Sequence, residues 1–286
     1  MIRRRPRGES STSELDRRYG RALRYRRMLI AGGSGNPDGM AVILMTGASG
    51  RIGSQLRKRL AHHELRLTDL SPDGDGVAAL DVTDGDAVER AARGVDVILH
   101  LGGIADEQPF EDVLDANVRG TERILSAARR AGVPRVVVAS SNHAAGLWSR
   151  DEAGPDGLPD DVPPRPDSYY GWSKAAIESL TRFHHDRFGL HVVCLRIGRC
   201  ADYPSNPRDL AVWLSPDDMA RLVEASLTAT GWHLVWGVSA NTRRWWSRAG
   251  GRAIGYEPRD DAEHWAAEVG EPDPSSETHR LVGGGK

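Results

Sequence analysis

The stretch AVILMTGASGRIGSQLRKRLA, residues 41–61, contains the features that determine the fold of this chain. Its first five residues, Ala41 to Met45, form a continuous apolar run, which is typical of a parallel strand buried on both faces. Gly47, Gly50 and Gly53 follow, and apolar residues then recur at the spacing of an amphipathic helix. Glycines are needed where a chain turns sharply, approaches a pyrophosphate, or packs helix on strand. The stretch therefore predicts a strand, a phosphate-binding loop and a helix.

An acidic residue ends the second predicted strand. The sequence LRLTDL predicts a short strand ending at Asp69, which stands 22 residues after Gly47 (69 minus 47). A carboxylate at this point can accept hydrogen bonds from the hydroxyls of an adenosine ribose, and it would repel a 2′-phosphate. Arg51 weakly favours the opposite, because a guanidinium in the loop can bind a phosphate. We therefore predict a dinucleotide site that prefers NAD to NADP.

Strands and helices alternate as far as about residue 200. Further strands are predicted at GVAALDV, which ends at Asp81 and Val82, and at VDVILHLGG, PRVVVASS and HVVCLRIG. Helices are predicted at DAVERAARG, at about residues 109–131, and around Tyr170. This alternation indicates an α/β fold, a Rossmann-type doubly wound parallel sheet, in which ligands bind beyond the carboxyl ends of the strands. The strand-end residues expected at that crevice are Asp69, Asp81, Gly102 and Ser141.

Composition and charge divide the chain into three parts. The chain has 286 residues, 39% of them hydrophobic, and its formal net charge of −2 favours neither a nucleic-acid binder nor an acidic tail protein. Residues 1–40 contain ten arginines and four acids, a net of +6, which leaves −8 for the remainder (−2 minus 6). We predict a disordered basic extension at 1–40, an NAD-binding domain at 41–200 that includes the Tyr170 helix, and a small substrate-binding region at 201–286.

Cysteine and histidine usage gives further limits. Cys194 and Cys200 are the two cysteines, so no disulfide framework is indicated and we expect a reducing, cytoplasmic location. No apolar run reaches the roughly 18 residues that span a bilayer. The histidine pairs at 62–63 and 184–185 have no partner ligands at metal spacing in the sequence, so no metal site is predicted.

The heptapeptide SYYGWSK, residues 168–174, contains a candidate catalytic pair. Tyr170 and Lys174 stand four positions apart and would share one face of a helix. The same spacing is common by chance, so from this segment alone the pair is either a surface contact or a proton-transfer device. Tyr169 would point about 100° away and is expected to be a packing residue.

Taken together, the glycine motif at 47–53, a strand-end serine and Tyr170-x-x-x-Lys174 resemble the short-chain dehydrogenase/reductase superfamily, in its extended epimerase/dehydratase branch. Longer strings are similar to the uronate dehydrogenase family: HLGGIADEQPFEDVLDANVRG, ASSNHAAG, RPDSYYGWSK, RIGRC, WLSPDDM and VWGVSANTRRWW. The resemblance covers residues 41 to about 270. It implies NAD-dependent oxidation of a hexuronate, D-galacturonate or D-glucuronate, at C1 to an aldaric acid lactone.

The resemblance also implies roles for individual residues. Tyr170 would take the proton of the substrate hydroxyl, and Ser141 would hydrogen-bond the reacting oxygen. A free phenol has a pKa near ~10, so Lys174 and the positive nicotinamide ring would have to lower the pKa of Tyr170. Lys174 would also hold the nicotinamide ribose.

The sugar is expected to contact a second set of residues. The resemblance implies that Asn142 and His143 bind sugar hydroxyls and that Arg208 binds the carboxylate as a forked donor. From the sequence alone, His143 could equally be a buried hydrogen-bonded histidine and Arg208 a solvated loop residue. Ala105 and Arg199 stand where the family has serines, which leaves the exact substrate open.

The resemblance further predicts the cofactor contacts and the assembly. The residues expected to bind NAD are Gly47, Gly50, Arg51, Ile52, Gly53, Asp69, Leu70, Ser71, Asp81, Val82, Leu101, Gly102, Gly103, Asn117, Tyr170 and Lys174. Members of the family often assemble through two long helices, here about 109–131 and 168–188, so a homo-oligomer is expected. The remaining expected partner is a small sugar acid.

Two other functions remain open from the sequence. A nucleotide-sugar epimerase or dehydratase, or another sugar dehydrogenase, would have the same fold. Only 90 residues follow Arg196 (286 minus 196), however, and a dehydratase would place an acidic pair directly after Ser141, where Asn142 and His143 stand. The third hypothesis is a non-catalytic NAD-binding sensor, although such proteins usually lose the tyrosine or the lysine.

Overall fold

The computed structural model describes residues 39–273 and 275–284. The predicted basic extension at 1–40 therefore lies almost entirely outside the described residues. Among the described helices, none combines the length and the apolar character needed to cross a membrane.

A parallel sheet forms the centre of the protein. Its strands are β1 Val42–Thr46, β2 Glu64–Asp69, β3 Val77–Ala79, β4 Val97–His100, β5 Arg135–Ser141, β6 His191–Ile197 and β9 Trp232–Gly237. Their spatial order is β3-β2-β1-β4-β5-β6-β9, and every neighbouring pair is parallel. The chain leaves β1 toward one edge and returns at β4 to build toward the other, which opens a crevice at the carboxyl ends of these two strands. The predicted Rossmann-type sheet is confirmed.

Helices cover both faces of the sheet. The helices Arg51–Arg59 and Pro216–Thr228 pack on one face, where Leu56 and Leu222 are fully buried. The helices Gly85–Ala91, Gly120–Ala131 and Tyr169–Phe188 pack on the other face. Each fully buried leucine or valine stabilises the fold by about 1.5–3 kcal/mol relative to exposure. Because both faces are covered, β1 is buried and apolar on both sides, as its sequence predicted.

Two predicted elements differ from the observed ones. The third strand ends at Ala79, before Asp81 and Val82, because the Asp81 carboxylate accepts hydrogen bonds from the Thr83 N–H at 2.8 Å and the Thr83 hydroxyl at 2.7 Å and so forms a turn. The helix predicted at 109–131 is divided into Phe110–Val113, a π-helical segment Leu114–Arg119, and Gly120–Ala131. Such a π-turn is a local widening that often marks a functional position.

The C-terminal region contributes to the sheet as well as to the cavity described below. Strand β9 lies within the range 201–286 that the sequence assigned to substrate binding, so part of that region completes the main sheet. Strands β7 Arg199–Cys200 and β8 Trp213–Leu214 form a separate small sheet. The shorter helices of this region are Asp209–Val212, Ala249–Ala253, Ala266–Val269 and Glu277–Arg280. Residues 281–284 then return along residues 146–149, with the Val282 N–H donating to the Trp148 carbonyl at 2.9 Å.

Candidate active site

A cavity of about 1220 Å³ opens at the carboxyl ends of the central strands. The strand register places Thr46, Thr68 and His100 side by side, so the loops that follow β1, β2 and β4 meet at one edge of the sheet. The volume exceeds the roughly 300–1,000 Å³ of typical small-molecule pockets, so a dinucleotide and a sugar can fit together. Every predicted site residue except Asn117 lines this cavity.

The glycine loop has a shape that only glycine permits at two positions. Gly47 has φ of +72°, and a Cβ there would lie 2.7 Å from the Gly102 nitrogen. A Cβ on Gly53 would lie 2.2 Å from the Gly47 carbonyl oxygen, which would push the helix Arg51–Arg59 away from the loop. Gly50 is the N-cap of that helix and provides no capping side chain. The helix N-terminus therefore presents backbone N–H groups and a positive dipole end to the cavity.

The carboxylate of Asp69 is fixed at the far end of this loop. Its Oδ2 accepts the Ser49 N–H at 2.9 Å and its Oδ1 accepts the Ser71 N–H at 3.0 Å. Each oxygen retains acceptor capacity after these bonds, so the carboxylate can accept hydrogen bonds from two vicinal hydroxyls. Leu70 beside it is 71% exposed and offers an apolar surface at the cavity rim.

Residues that follow β3 and β4 form the part of the cavity wall next to the glycine loop, and the buried Asn117 supports this wall through hydrogen bonds. Asp81, Val82 and the segment Leu101–Gly103 line the cavity. Asn117 is 2% exposed: its Oδ1 accepts the Ile104 N–H at 2.8 Å, and its Nδ2 donates to the Ile104 carbonyl at 3.1 Å and to the Ser173 hydroxyl at 2.8 Å. Because these bonds use its amide, Asn117 holds the wall and is the one predicted NAD-binding residue that does not line the cavity.

The predicted catalytic residues meet where β5 ends beside the helix Tyr169–Phe188. The Ser141 side chain lies beside the Tyr170 phenol and lowers its pKa. The Lys174 ammonium is buried, donates to the Ala139 carbonyl at 2.8 Å, and lies 5.6 Å from the centre of the Tyr170 ring. Tyr169, expected to be a packing residue, packs edge-on against Phe110 with ring centres 5.5 Å apart and is 54% exposed.

The pKa of Tyr170 differs from the predicted direction. Burial raises it, and the charges of Asp106 and Asp167 raise it further, while the Ser141 hydrogen bond and the Arg51 charge lower it. Lys174 does not offset these effects, because its ammonium is directed at the Ala139 carbonyl and burial lowers its own pKa to about 8. The protein's own groups therefore do not lower the phenol pKa as the resemblance implied.

The predicted carboxylate-binding residue is a half-buried cation. Burial lowers the pKa of Arg208, with Asp209 and Asp167 opposing that effect. Within residues 39–273 and 275–284, no carboxylate oxygen lies within 4.0 Å of its guanidinium. Its Nη2 donates to the Val282 carbonyl at 2.6 Å, and Asn142 Nδ2 donates to the same oxygen at 2.7 Å. The C-terminal segment thus fixes both predicted sugar-binding residues through one main-chain carbonyl.

His143 is oriented by a buried carboxylate. Its Nδ1 lies 2.8 Å from Oδ2 of Asp167, whose side chain is 7% exposed. Burial raises the pKa of Asp167, but the hydrogen bond and charge of His143 outweigh it and the net pKa is lowered. When Nδ1–H donates to Asp167, Nε2 of the neutral ring is left as an acceptor. His143 is half-buried beside Tyr170, with ring centres 5.7 Å apart, so its position fits a sugar-binding residue.

The two positions that depart from the family pattern both line the cavity. Ala105 lies in the exposed loop after β4. Arg199 forms an ion pair with the buried Asp209, which also accepts the Ser205 N–H at 2.8 Å. A carboxylate therefore holds Arg199, and both Arg199 and Arg208 line the cavity.

Four groups that support the site escaped the sequence analysis. Asp167 and Asp209 orient His143 and Arg199, Glu107 binds the start of the Tyr170 helix, and the Val282 carbonyl binds Asn142 and Arg208. Asp167 stands three residues before Tyr170, so its proximity to the site was visible in the sequence. No sequence pattern identifies a main-chain carbonyl that lies 140 residues from its partner.

A histidine–glutamate cluster away from the cavity has the ligand types of a metal site. His62, His63 and Glu224 place their ligand atoms within 4.8 Å of one another, a grouping that the sequence did not reveal. Nδ1 of His63 accepts the Ala41 N–H at 3.2 Å, so Nε2 of the neutral ring bears the hydrogen and donates to Glu224. With both ring nitrogens hydrogen-bonded in this way, His63 forms a hydrogen-bonded group with Ala41 and Glu224.

Comparisons with known proteins agree with this geometry. Residues 43–201 match the NAD dependent epimerase/dehydratase family. The chain is 41% identical over 251 residues to the uronate dehydrogenase of Pseudomonas syringae pv. tomato, covering 84% of this chain and 90% of that protein. It is 41% identical over 258 residues to the uronate dehydrogenase of Agrobacterium fabrum, covering 86% and 96%. A crystal structure of a mutant uronate dehydrogenase from Agrobacterium tumefaciens complexed with NAD superimposes with a TM-score of 0.80, at 40% identity and with 86% and 96% coverage.

Proposed function

The chain belongs to the NAD dependent epimerase/dehydratase family, and we propose that it oxidises a hexuronate, D-galacturonate or D-glucuronate, at C1 to the aldaric acid lactone. It is an NAD-dependent dehydrogenase. The proposal rests on one observation: a single cavity is lined by the glycine loop after β1, by Ser141 and Tyr170, and by Arg208.

The residues proposed to bind NAD fit the cofactor. A Cβ at Gly47 or Gly53 would fill the space in which the loop turns, and the helix N-terminus can bind the pyrophosphate. Asp69 would accept the ribose hydroxyls and Lys174 would hold the nicotinamide ribose. When bound, NAD⁺ supplies the hydride acceptor and a positively charged ring.

Tyr170 would act as the base and Ser141 as its partner. The Tyr170 phenolate would accept the proton of the C1 hydroxyl while C1 loses its hydrogen as a hydride, for which NAD⁺ would be the acceptor, and the C1–O bond would become the lactone carbonyl. Ser141 would donate a hydrogen bond to the reacting oxygen. Because burial raises the pKa of Tyr170, the rate should increase with pH until the phenol is ionised.

Arg208 would distinguish a sugar acid from a neutral sugar. Its guanidinium has one N–H on the Val282 carbonyl and no carboxylate partner in the described structure, so it can bind the substrate carboxylate with its remaining donors. Asn142 and the Nε2 atom of His143 would bind sugar hydroxyls. Arg199 also lines the cavity, paired with Asp209, and would affect which uronate fits.

The direct test is NADH absorbance after mixing the purified protein with NAD and a sugar. We expect NADH with D-galacturonate or D-glucuronate and little with D-galactose or D-glucose, which lack the carboxylate. Equal rates with the neutral sugars would contradict the role of Arg208. Conversion of a nucleotide sugar without net NADH would instead support an epimerase or dehydratase.

The proposal includes a homo-oligomer in the cytoplasm. Phe110, Tyr169 and Phe183 are large exposed aromatic side chains on the long helical segments 110–131 and 169–188, which supports association through those helices. Cys194 and Cys200 are unpaired, buried thiols, which suits a reducing compartment. Light scattering coupled to size-exclusion chromatography would determine the assembly: a mass of about one chain would contradict it.

A further inference from the structure

The loop that follows β4 is fixed to the rest of the site at two points. At its start, the backbone of Ile104 is bound by the side chain of Asn117. At its end, the carboxylate of Glu107 accepts the N–H of Tyr169 at 3.1 Å through Oε1 and the N–H of Tyr170 at 2.9 Å through Oε2. The loop is therefore tied directly to the backbone of the residue proposed to be the base.

These bonds satisfy backbone N–H groups at the start of the helix Tyr169–Phe188, which contains Tyr170. The first N–H groups of a helix have no acceptor within the helix itself. Ser168 accepts the N–H of Gly171 at 3.0 Å, and Glu107 accepts the two N–H groups before it. A negative charge at this position also interacts favourably with the positive end of the helix dipole. Glu107 comes from 62 residues earlier in the chain than Tyr169, so it is a tertiary contact rather than a local cap.

Two cavity-lining residues lie between the two fixed points. Ala105 and Asp106 form part of the wall beside Tyr170, and the charge of Asp106 acts on the Tyr170 phenol. If Glu107 releases the helix, the wall and Tyr170 can move independently. A misplacement of about 1 Å at a reacting group can cost roughly 100-fold in rate.

We propose that Glu107 is a positioning residue for catalysis, whose bidentate hydrogen bonds to the backbone of Tyr169 and Tyr170 hold the base in register with the cavity wall. This inference rests on the proposed function for its kinetic consequence, but not for the contact itself. A carboxylate suits the position because it has two acceptor oxygens, whereas an amide has one oxygen and an NH₂ group that would face the second N–H.

The contact can be measured without activity. Hydrogen–deuterium exchange of peptides covering residues 168–174 should show about tenfold faster exchange for two amides in Glu107→Ala than in the wild type. In Glu107→Gln, one of these two amides should exchange at the wild-type rate and the other should exchange faster. Glu111→Ala is the matched control, because Glu111 is an exposed acid in the adjacent helical turn, and its exchange pattern at 168–174 should be that of the wild type.

Kinetics test the consequence for catalysis. With saturating NAD, kcat should fall roughly 10- to 100-fold in Glu107→Ala, recover to an intermediate value in Glu107→Gln, and stay unchanged in Glu111→Ala. The KM for NAD should change less than about twofold, because the glycine loop is untouched.

If amide exchange at residues 168–174 is the same in Glu107→Ala as in the wild type, the proposed contact is wrong. If exchange is faster but kcat is unchanged, the contact exists but Glu107 does not position the base. A wild type that oxidises no uronate would refute the proposed function, while the exchange result would still decide the contact.

Discussion

The two ends of the cavity are built in different ways. The end proposed to bind NAD (the NAD end) is formed mainly by residues 42–71, a continuous segment in which a strand, a glycine loop, a helix and a second strand follow one another. The end proposed to bind the sugar (the sugar end) is assembled from pairs that are distant in sequence, such as Arg208 and Asn142, which both donate to the Val282 carbonyl. The first end is thus determined by local geometry and the second by tertiary contacts. Substitutions at the two ends should therefore have separable effects, on NAD at one and on the sugar at the other.

The largest expected effect on kcat is at Tyr170, which lies between the two ends of the cavity. Tyr170→Phe removes the proposed base and leaves the ring in place, so kcat should fall by about 10²- to 10⁴-fold, the usual contribution of acid–base catalysis. NAD binding, measured by titration calorimetry, should change little. A variant that retains more than a tenth of wild-type kcat would show that Tyr170 is not the base.

Gly53→Ala should weaken NAD binding and leave the sugar end unchanged. The added methyl group would meet the Gly47 carbonyl and the Ala48 backbone, which are not flexible side chains. Overpacking of about 1–3 kcal/mol corresponds to roughly 5- to 150-fold weaker NAD binding.

The control for this variant is Gly154→Ala, because a Cβ at Gly154 would contact no atom within 4 Å. Thermal unfolding should confirm that both variants are folded. If Gly53→Ala binds NAD with wild-type affinity, the loop does not approach the cofactor as the account requires.

Arg208→Lys should weaken uronate binding and leave NAD binding unchanged. Lysine keeps the charge but loses the fork that contacts both Val282 and a carboxylate, and charged hydrogen bonds contribute about 1.5–3 kcal/mol each. We expect the KM for uronate to rise roughly 10- to 100-fold with an unchanged KM for NAD, in steady-state assays that vary one substrate at a time. Equal increases in the two KM values would contradict the separation of the ends.

Asp167→Asn should have the smallest effect of the series. The amide can still accept the Nδ1–H of His143, but the charge that supports this bond is lost. A loss of about 1 kcal/mol predicts a roughly fivefold higher KM for uronate. The same measurement with His143→Ala in both backgrounds gives a double-mutant cycle: additive effects would show that Asp167 does not act through His143.

The sequence predicted the NAD end more fully than the sugar end for physical reasons. Glycine spacing, strand periodicity and the position of Asp69 reflect backbone geometry, which a short segment determines by itself. Arg199 is an example of what the sequence cannot predict. The sequence shows an arginine in place of a serine, but it does not show that the buried Asp209 forms an ion pair with that arginine. In the protein without NAD, the pKa of Tyr170 is raised, and the sequence could not show that the Lys174 ammonium is directed at the Ala139 carbonyl.

The shortened third strand and the π-turn at Asn117 have the same origin. A turn by Asp81 and a widened helical turn depend on side-chain hydrogen bonds that periodicity does not encode. Strand β9 was missed because it follows a region whose small sheet and short helices interrupt the alternation of longer elements.

The most direct test of the central claim is to identify the product together with the NADH formed. Wild-type protein, NAD and D-galacturonate or D-glucuronate should yield one NADH for each aldaric acid lactone detected by proton NMR. Loss of the C1 proton signal in step with NADH absorbance is the predicted result. Turnover of a uronate to any product without NADH, or NADH formed without loss of the C1 proton, would contradict oxidation at C1 by this site.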